Sequence, residues 1–399
     1  MKKTVKDIDI KGKKVIMRVD FNVPLDKETN SKIMDTTRVD AAMPTIEYIL
    51  SQGASLILMS HLGRPKGEVN PKYSLKPVYD YLKTKLPNNK VIFVNDCIGE
   101  EVKKTAGSLN AGDVLLLENL RYHAEEEKND ANFSKQLADL ADVYVNDAFG
   151  TAHRAHASTA GIVAAKPSMP AVAGFLMEKE IKYLGDAVAE PKRPFVAIIG
   201  GAKVSSKISV LKNLLNKVDT LIVVGGMAYT FFKAKGYEIG TSLCEDDYIQ
   251  TAKEIMDKAK ELNKTLYLPI DNVVADKFDN DANRKIVDCN AIPSGWMGMD
   301  VGDKTLKEIE NILKNAKTIV WNGPLGVFEM SNFAKGTFET AKFIANSGAV
   351  SIIGGGDSVS AVNKSGVADK MTHISTGGGA SLEFLEGIEL PGIKVLQDK

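Results

Sequence analysis

Ten short apolar runs without polar alternation constrain this chain more than any other feature. They read KVIMRVDF, SLILMS, KVIFVND, DVLLLEN and DVYVNDAF in the first part, and FVAIIGG, TLIVVGG, TLYLPID, TIVWNGP and VSIIGGG in the second. A strand with one wet face alternates, whereas a strand covered on both faces does not. The runs therefore predict parallel sheet sandwiched between helices. Amphipathic stretches lie between them, such as the one-sided stripe Leu211, Leu214, Leu215 and Val218. Strand–helix alternation of this kind predicts an α/β protein. At 399 residues the chain exceeds one ordinary core, so two domains are expected.

The two parts are punctuated differently. Strands of the second part end in glycine pairs or triplets, those of the first in Asp, Asn, His or Arg. Between them, FLMEKEIKYLGDAVAEPKRP reads as a helix closed by a Pro-Lys-Arg-Pro stop. We expect a first domain over residues 1–174, joined by the C-terminal tail 388–399, a helical connector over 175–192 and a second domain over 193–387. The tail ELPGIKVLQDK is too short to be a domain and is expected to pack on the body.

Lys+Arg and Asp+Glu both total 51, which argues against a general binder of nucleic acid or anionic membrane, since either needs a basic excess. Cys97, Cys244 and Cys289 are far apart, so neither a disulfide framework nor a cysteine zinc site is expected. The N-terminal MKKTVKDIDIKGKK has no apolar core of a signal peptide, and no apolar run reaches membrane-spanning length. The chain reads as a cytoplasmic monomer acting on small molecules.

Five of the seven arginines (Arg18, Arg38, Arg64, Arg121 and Arg154) precede residue 160, and histidines accompany them. His61 precedes Arg64 in SHLGRP, His123 follows Arg121 in NLRYH, and His153 and His156 flank Arg154 in GTAHRAHAST. Three of these segments follow a strand, and ligands of doubly wound sheets bind at strand carboxyl ends. Guanidinium forks suit phosphate and carboxylate, so a small polyanion is the expected ligand. Asp20 and Asn22, in RVDFNVP, are placed to take hydroxyl groups. Zinc is disfavoured because His153 and His156 lack a Cys or acidic co-ligand pattern.

The second part offers GGAKVSSK, VVGGMAYTF, WNGPLGVFE, IIGGGDSVSAV and STGGGASLEF. Glycines let backbone approach a ligand, and a following helix start offers free N–H groups. Neither the P-loop pattern nor GxGxxG is present, which disfavours a single-segment phosphate loop and a dinucleotide site. Asp357 in GGGDS is a candidate magnesium ligand. If a helix starts near Ser205, Lys207 falls in its first turn and Lys203 in the loop before it. A polyanion site beside a magnesium–nucleotide site fits phosphoryl transfer, which needs placed cations and little covalent chemistry from the protein.

In order from residue 18 to 387, RVDFNVP, SHLGRP, NLRYH, NDAFGTAHRAHAS, GGAKVSSK, WNGPLGVFE, GGGDS and STGGGASLEFLEG closely resemble the phosphoglycerate kinase family. The resemblance implies two Rossmann-like, doubly wound parallel-sheet domains joined by a helical hinge, with the tail returning to the first domain. It implies reversible transfer of the acyl phosphate of 1,3-bisphosphoglycerate to Mg-ADP, giving 3-phosphoglycerate and ATP, after domain closure. Asp20, Asn22, Arg38, His61, Leu62, Gly63, Arg64, Arg121 and Arg154 would hold the phosphoglycerate. Lys203, Lys207, Gly225, Gly298, Asn322, Glu329, Gly355, Gly356, Asp357 and Ser358 would hold the nucleotide, with Asp357 on Mg2+. Arg38, Lys203 and Gly378 would act on the phosphoryl group in flight. Tyr122, Ser206 and Leu325 depart from the commonest family residues, and none is a proposed ligand.

Overall fold

The structure is a computed structural model describing residues 1–185 and 188–399. The chain divides into two compact units. The first comprises Met1–Ile181 with Glu389–Lys399, the second Lys182–Ile388.

In the first unit, strands β1 (Lys14–Arg18), β2 (Ser55–Met59), β3 (Val91–Phe93), β4 (Val114–Leu116), β5 (Val143–Asn146) and β6 (Ala171–Ala173) form one sheet in the order β3-β4-β2-β1-β5-β6. Every pairing is parallel, with Lys14 opposite Ser55 and Val15 opposite Val143 in the centre. Val15, Ile16, Met17 and Arg18 are all sealed from solvent, which is why β1 reads as an unbroken apolar run ending in one arginine. Covering such side chains contributes about 1.5–3 kcal/mol for each large aliphatic one. The C-terminal segment adds a layer of its own: Gly392 N–H donates to Ala152 O at 2.8 Å, and Asn146 Nδ2 donates to Gly392 O at 3.0 Å.

In the second unit, β7 (Phe195–Ile199), β8 (Thr220–Val223), β9 (Thr265–Tyr267), β13 (Thr318–Asn322), β14 (Val350–Gly354) and β15 (His373–Ile374) form a parallel sheet in the order β15-β14-β13-β7-β8-β9. Both sheets match the α/β expectation. A second, antiparallel sheet of β10 (Asp271–Ala275), β11 (Arg284–Asp288) and β12 (Met297–Val301), in the order β11-β10-β12, was not foreseen. Its outer strand RKIVD is mostly exposed and polar, so it carries no buried-strand pattern.

The connector opens as the helix Phe175–Glu180, whose entry is fixed by Asp147: its Oδ1 accepts from Met177 N–H at 3.0 Å. Helical conformation continues past Glu180, and positions 186 and 187 of the expected connector lie outside the described residues.

Candidate functional site

In each unit most of the expected residues lie just beyond the carboxyl ends of the parallel strands, the place where doubly wound sheets bind ligands, whereas Gly298 lies within β12 of the antiparallel sheet.

In the first unit, β1 delivers Asp20 and Asn22, and the loop after β2 delivers His61, Leu62, Gly63 and Arg64. Arg38 comes from the first turn of the helix Thr37–Ser51, and its guanidinium pairs with the Asp20 carboxylate. Asn22 Oδ1 accepts from Gly63 N–H at 2.8 Å, and Arg121 donates to Gly63 O at 3.0 Å. Asn119 braces the same loop, accepting from Leu62 N–H at 3.2 Å and donating to Leu62 O at 2.7 Å. Asp20, Asn22, Arg38, Leu62, Gly63 and Arg121 thus belong to one hydrogen-bonded assembly around the loop. Arg64 and Arg154 are exposed and make no ion pair among the described residues. Their charges still reach the cluster. Burial, above all, lowers the Arg121 pKa, and the Arg18 and Arg64 charges add to that. His156 is held at a pKa of about 4 by burial and by Arg121, Arg18 and Arg154. His61 is pushed well below the imidazole range by burial first, then by Arg18, Arg121, Arg38 and His156. The arginines and histidines therefore share one electropositive field in which both histidines are neutral at pH 7.

Behind this cluster lies a layer without a sequence assignment. Arg18, fully buried, reaches Ser158 and His61, and buried Glu126 holds Ser158. Arg18 was visible as an arginine at a strand end. Glu126 and Ser158 sit 32 positions apart and left no pattern to read.

In the second unit, the ends of β7, β13 and β14 and the turn before the helix Gly379–Leu385 line a cavity of about 430 Å³. Lys203, Lys207, Asn322, Gly355, Gly356, Asp357 and Gly378 all line it. Ser358 lies one residue further in, buried, and its hydroxyl accepts from Gly323 N–H at 2.6 Å. Lys207 Nζ bonds the Asn322 amide oxygen, and burial lowers its pKa to about 8 against the pull of Asp357 and Glu386. Lys203 is exposed and unpaired among the described residues. The crevice is made of bare backbone. Gly323 has φ +98°, and a Cβ there would lie 2.1 Å from Gly200 O.

One expectation needs adjusting. The helix begins at Ile208, not near Ser205, and Lys207 sits at the N-cap position without a side-chain cap. Glu245 captures Ser205 instead, accepting from its N–H at 3.0 Å and its hydroxyl at 2.6 Å, so Val204–Lys207 closes as a turn. In addition, Gly225, Gly298 and Glu329 line a separate, apolar cavity of about 570 Å³ that adjoins the first through Gly201, Ala202, Pro324 and Asp357. Its walls include Tyr229 and Val327, from the glycine-marked segments VVGGMAYTF and WNGPLGVFE, and Leu243, Phe278 and Met299, which the sequence did not mark. A glycine-lined polar cavity running into an apolar one fits a molecule with charged phosphates at one end and a flat, weakly polar group at the other.

Asp357 has no hydrogen bond or ion pair among the described residues and lines the polar cavity. A lone carboxylate in a cavity lined by glycines and lysines fits Mg2+, which is held through one or two carboxylates together with substrate phosphates. Among the described residues, no helix is long and apolar enough to cross a membrane.

Residues 5–388 match the sequence family described as phosphoglycerate kinase. A phosphoglycerate kinase of Clostridium botulinum (strain Hall) is 58% identical over 400 aligned residues, spanning 100% of this chain and 99% of that protein. Phosphoglycerate kinase 3, cytosolic, of Arabidopsis thaliana is also 58% identical, spanning 99% of this chain and 98% of its own. The solved structure of phosphoglycerate kinase from Coxiella burnetii is similar with a TM-score of 0.91 at 41% identity, covering 99% of this chain and 98% of that one. That from Pyrococcus horikoshii gives 0.81 at 34% identity, covering 98% of each.

Proposed function

The chain belongs to the phosphoglycerate kinase family, a glycolytic, ATP- and ADP-dependent phosphotransferase family, and on that premise we propose how its two units share the reaction. The first unit binds 3-phosphoglycerate or 1,3-bisphosphoglycerate. Arg64, Arg121 and Arg154 take phosphate and carboxylate oxygens, Asp20 and Asn22 the hydroxyl, and the Leu62–Gly63 backbone shapes the loop between them. The second unit binds the nucleotide, with its phosphates on Lys203, Lys207, Asn322, Gly355, Gly356 and Ser358 and its base and ribose among Gly225, Gly298 and Glu329. The observation carrying this division is the contrast of the two sites. One is built of forked cationic side chains suited to a compact polyanion, the other of glycines and lysines leading into an apolar pocket.

In the direction of ATP synthesis, an ADP β-phosphate oxygen attacks the acyl phosphate of 1,3-bisphosphoglycerate. The bond from phosphorus to the carboxyl oxygen breaks, leaving the 3-phosphoglycerate carboxylate. Charge on the moving phosphoryl group spreads over its equatorial oxygens and needs positioned cations. Arg38 and Lys203 fit that need, and the Gly378 N–H adds a backbone donor. Asp357 would hold Mg2+, which when bound offsets nucleotide phosphate charge. Because the two substrates bind different units, direct transfer requires the units to close on them, which also limits loss of the group to water. A cytoplasmic setting is the corresponding proposal, supported by the cytosolic designation of the Arabidopsis relative.

The test is turnover of 3-phosphoglycerate and ATP in a coupled assay with Mg2+, together with small-angle scattering. We expect turnover and a smaller radius of gyration with both substrates than with either alone. Absence of turnover would sink the assignment. Turnover with an unchanged radius would sink closure.

A further inference from the structure

We propose that Arg18 is a positioning residue that holds the His61 imidazole as the neutral tautomer with its proton on Nε2, so that His61 serves the anion cluster as an uncharged hydrogen-bond donor. The inference deepens the reading of the first unit as the phosphoglycerate site and rests on it for the identity of the anion.

A guanidinium has five N–H donors and no acceptor. Arg18 Nε donates to Ser158 Oγ at 2.9 Å, one terminal nitrogen donates to Val19 O, and the other lies 3.1 Å from His61 Nδ1. His61 Nδ1 must therefore accept. In a neutral imidazole that accepts at one nitrogen, the other carries the proton. The opposite tautomer would aim N–H at N–H and leave two buried donors without a partner.

The arginine cannot swing away to relieve such a clash, because its far side is fixed. The Ser158 hydroxyl donates to Glu126 Oε1 at 2.5 Å, and Ser158 N–H donates to Oε2 at 3.0 Å. With its one proton committed to Glu126, the hydroxyl can only accept from Arg18. Donation thus runs from Ser158 to Glu126 and from Arg18 to both Ser158 and His61. Arg18, Glu126 and Ser158 are fully buried and His61 is 4% exposed, so water is not available to substitute in this chain.

Protonation of His61 is also opposed. It would place an N–H on Nδ1 facing Arg18. The charged groups around the ring are Arg18, Arg121 and Arg38, which all disfavour a further positive charge, and His156 beside them is itself neutral at pH 7. Among the described residues no protein group bonds Nε2. The Nε2–H is thus the ring's free donor, in a cluster whose other members are already cationic. A neutral donor adds direction to anion binding without adding repulsion among the arginines. The other tautomer would present a lone pair to the same anion.

The test reads the tautomer directly on the full chain. Two-bond proton–nitrogen correlation spectra of protein carrying 15N-histidine should show His61 with unprotonated Nδ1 and protonated Nε2, unchanged from about pH 5.5 to 8.5. In Arg18→Met, which keeps the stem and loses every donor, the ring should populate both tautomers and titrate closer to the ordinary value of about 6.5. KM for 3-phosphoglycerate should rise about tenfold to a hundredfold with KM for ATP unchanged, the scale of one hydrogen bond to a charged group. His61→Gln, which can place an amide N–H near the Nε2 position, should retain more 3-phosphoglycerate affinity than His61→Asn, which cannot reach it. A wild-type ring that is cationic or protonated on Nδ1 at neutral pH overturns the proposal. So does an Arg18→Met protein with the tautomer unchanged. Should Arg18→Met not fold, the wild-type spectrum and the Gln–Asn comparison decide the matter. Adding 3-phosphoglycerate separates the two readings. A His61 resonance that ignores it, with the tautomer as expected, overturns the phosphoglycerate site and leaves the Arg18 assignment standing.

Discussion

On the proposed division of ligands, the two units solve one problem, holding negative charge, in opposite ways. The first does it with side chains. Its guanidiniums and imidazoles are aimed by hydrogen bonds to neighbours, as Arg121 is by Gly63 O at 3.0 Å and the Gly63 loop by Asn22 at 2.8 Å. The second does it with the absence of side chains. Gly200 and Gly323 approach so closely that a methyl group on Gly323 would sit 2.1 Å from Gly200 O, and only two lysines bring formal positive charge. A side-chain site can lose one contact and keep its fold. Where Gly200 and Gly323 meet, the backbone cannot gain one atom without moving two strand ends. The comparison therefore predicts different failure modes for the two units.

The largest expected effect is on rate. Arg38→Ala and Lys203→Ala should each lower kcat by about a hundredfold to ten-thousandfold, the scale for removing a donor that meets developing charge. Nucleotide Kd should change only a fewfold in either variant. Both side chains are substantially exposed, and the Arg38–Asp20 pair lies near the surface, so thermal stability should shift little. Steady-state kinetics beside nucleotide titration checks this. Equal losses in binding and rate would remove both residues from the transition state.

Gly323→Ala should behave in the reverse manner. The residue would be strained at φ +98° by about 1–3 kcal/mol, and its Cβ would press on backbone. We expect nucleotide binding to be lost and the melting temperature to fall, while calorimetry still finds 3-phosphoglycerate binding to the first unit. Loss of both ligands together would mean that the two sites are not independently built.

What sequence made legible follows the same division. Parallel strands sealed on both faces, such as Phe195–Ile199, are continuous apolar words and were read without ambiguity. Glycine-ended strands and arginine–histidine segments were legible because each is a local pattern at a strand end. Non-local choices were not legible. The helix after β7 starts at Ile208 because Glu245, 40 positions on, claims Ser205. The strand Arg284–Asp288 hides because exposure erased its apolar signature. The apolar cavity draws its remaining wall from single residues such as Leu243 and Phe278 in separate segments, so only the part contributed by glycine-rich segments such as VVGGMAYTF and WNGPLGVFE, and by Gly298, was marked in the sequence. Glu126 and Ser158 were invisible for the same reason, since only folding puts them behind Arg18.

The smallest effect separates the two lysines of the second unit. Lys207 is half-buried, and burial lowers its pKa from 10.5 to about 8, with Asp357 and Glu386 pulling the other way. Nucleotide phosphates favour the charged amine, so its pKa is higher in the complex than in the free protein. The lysine's contribution to affinity is then complete below about pH 8. Above that it falls by about tenfold per pH unit until the pKa of the complex is reached. Lys207→Arg keeps its charge throughout this range, so its affinity should be weaker at pH 7, because the longer fork misplaces the contact with Asn322, but flat between pH 7 and about 9.5. Fluorescence titration of ADP across that range measures both slopes. Identical slopes would show that Lys207 holds no phosphate, and the weight of anion binding in the second unit would then shift to Lys203 and the glycine backbone.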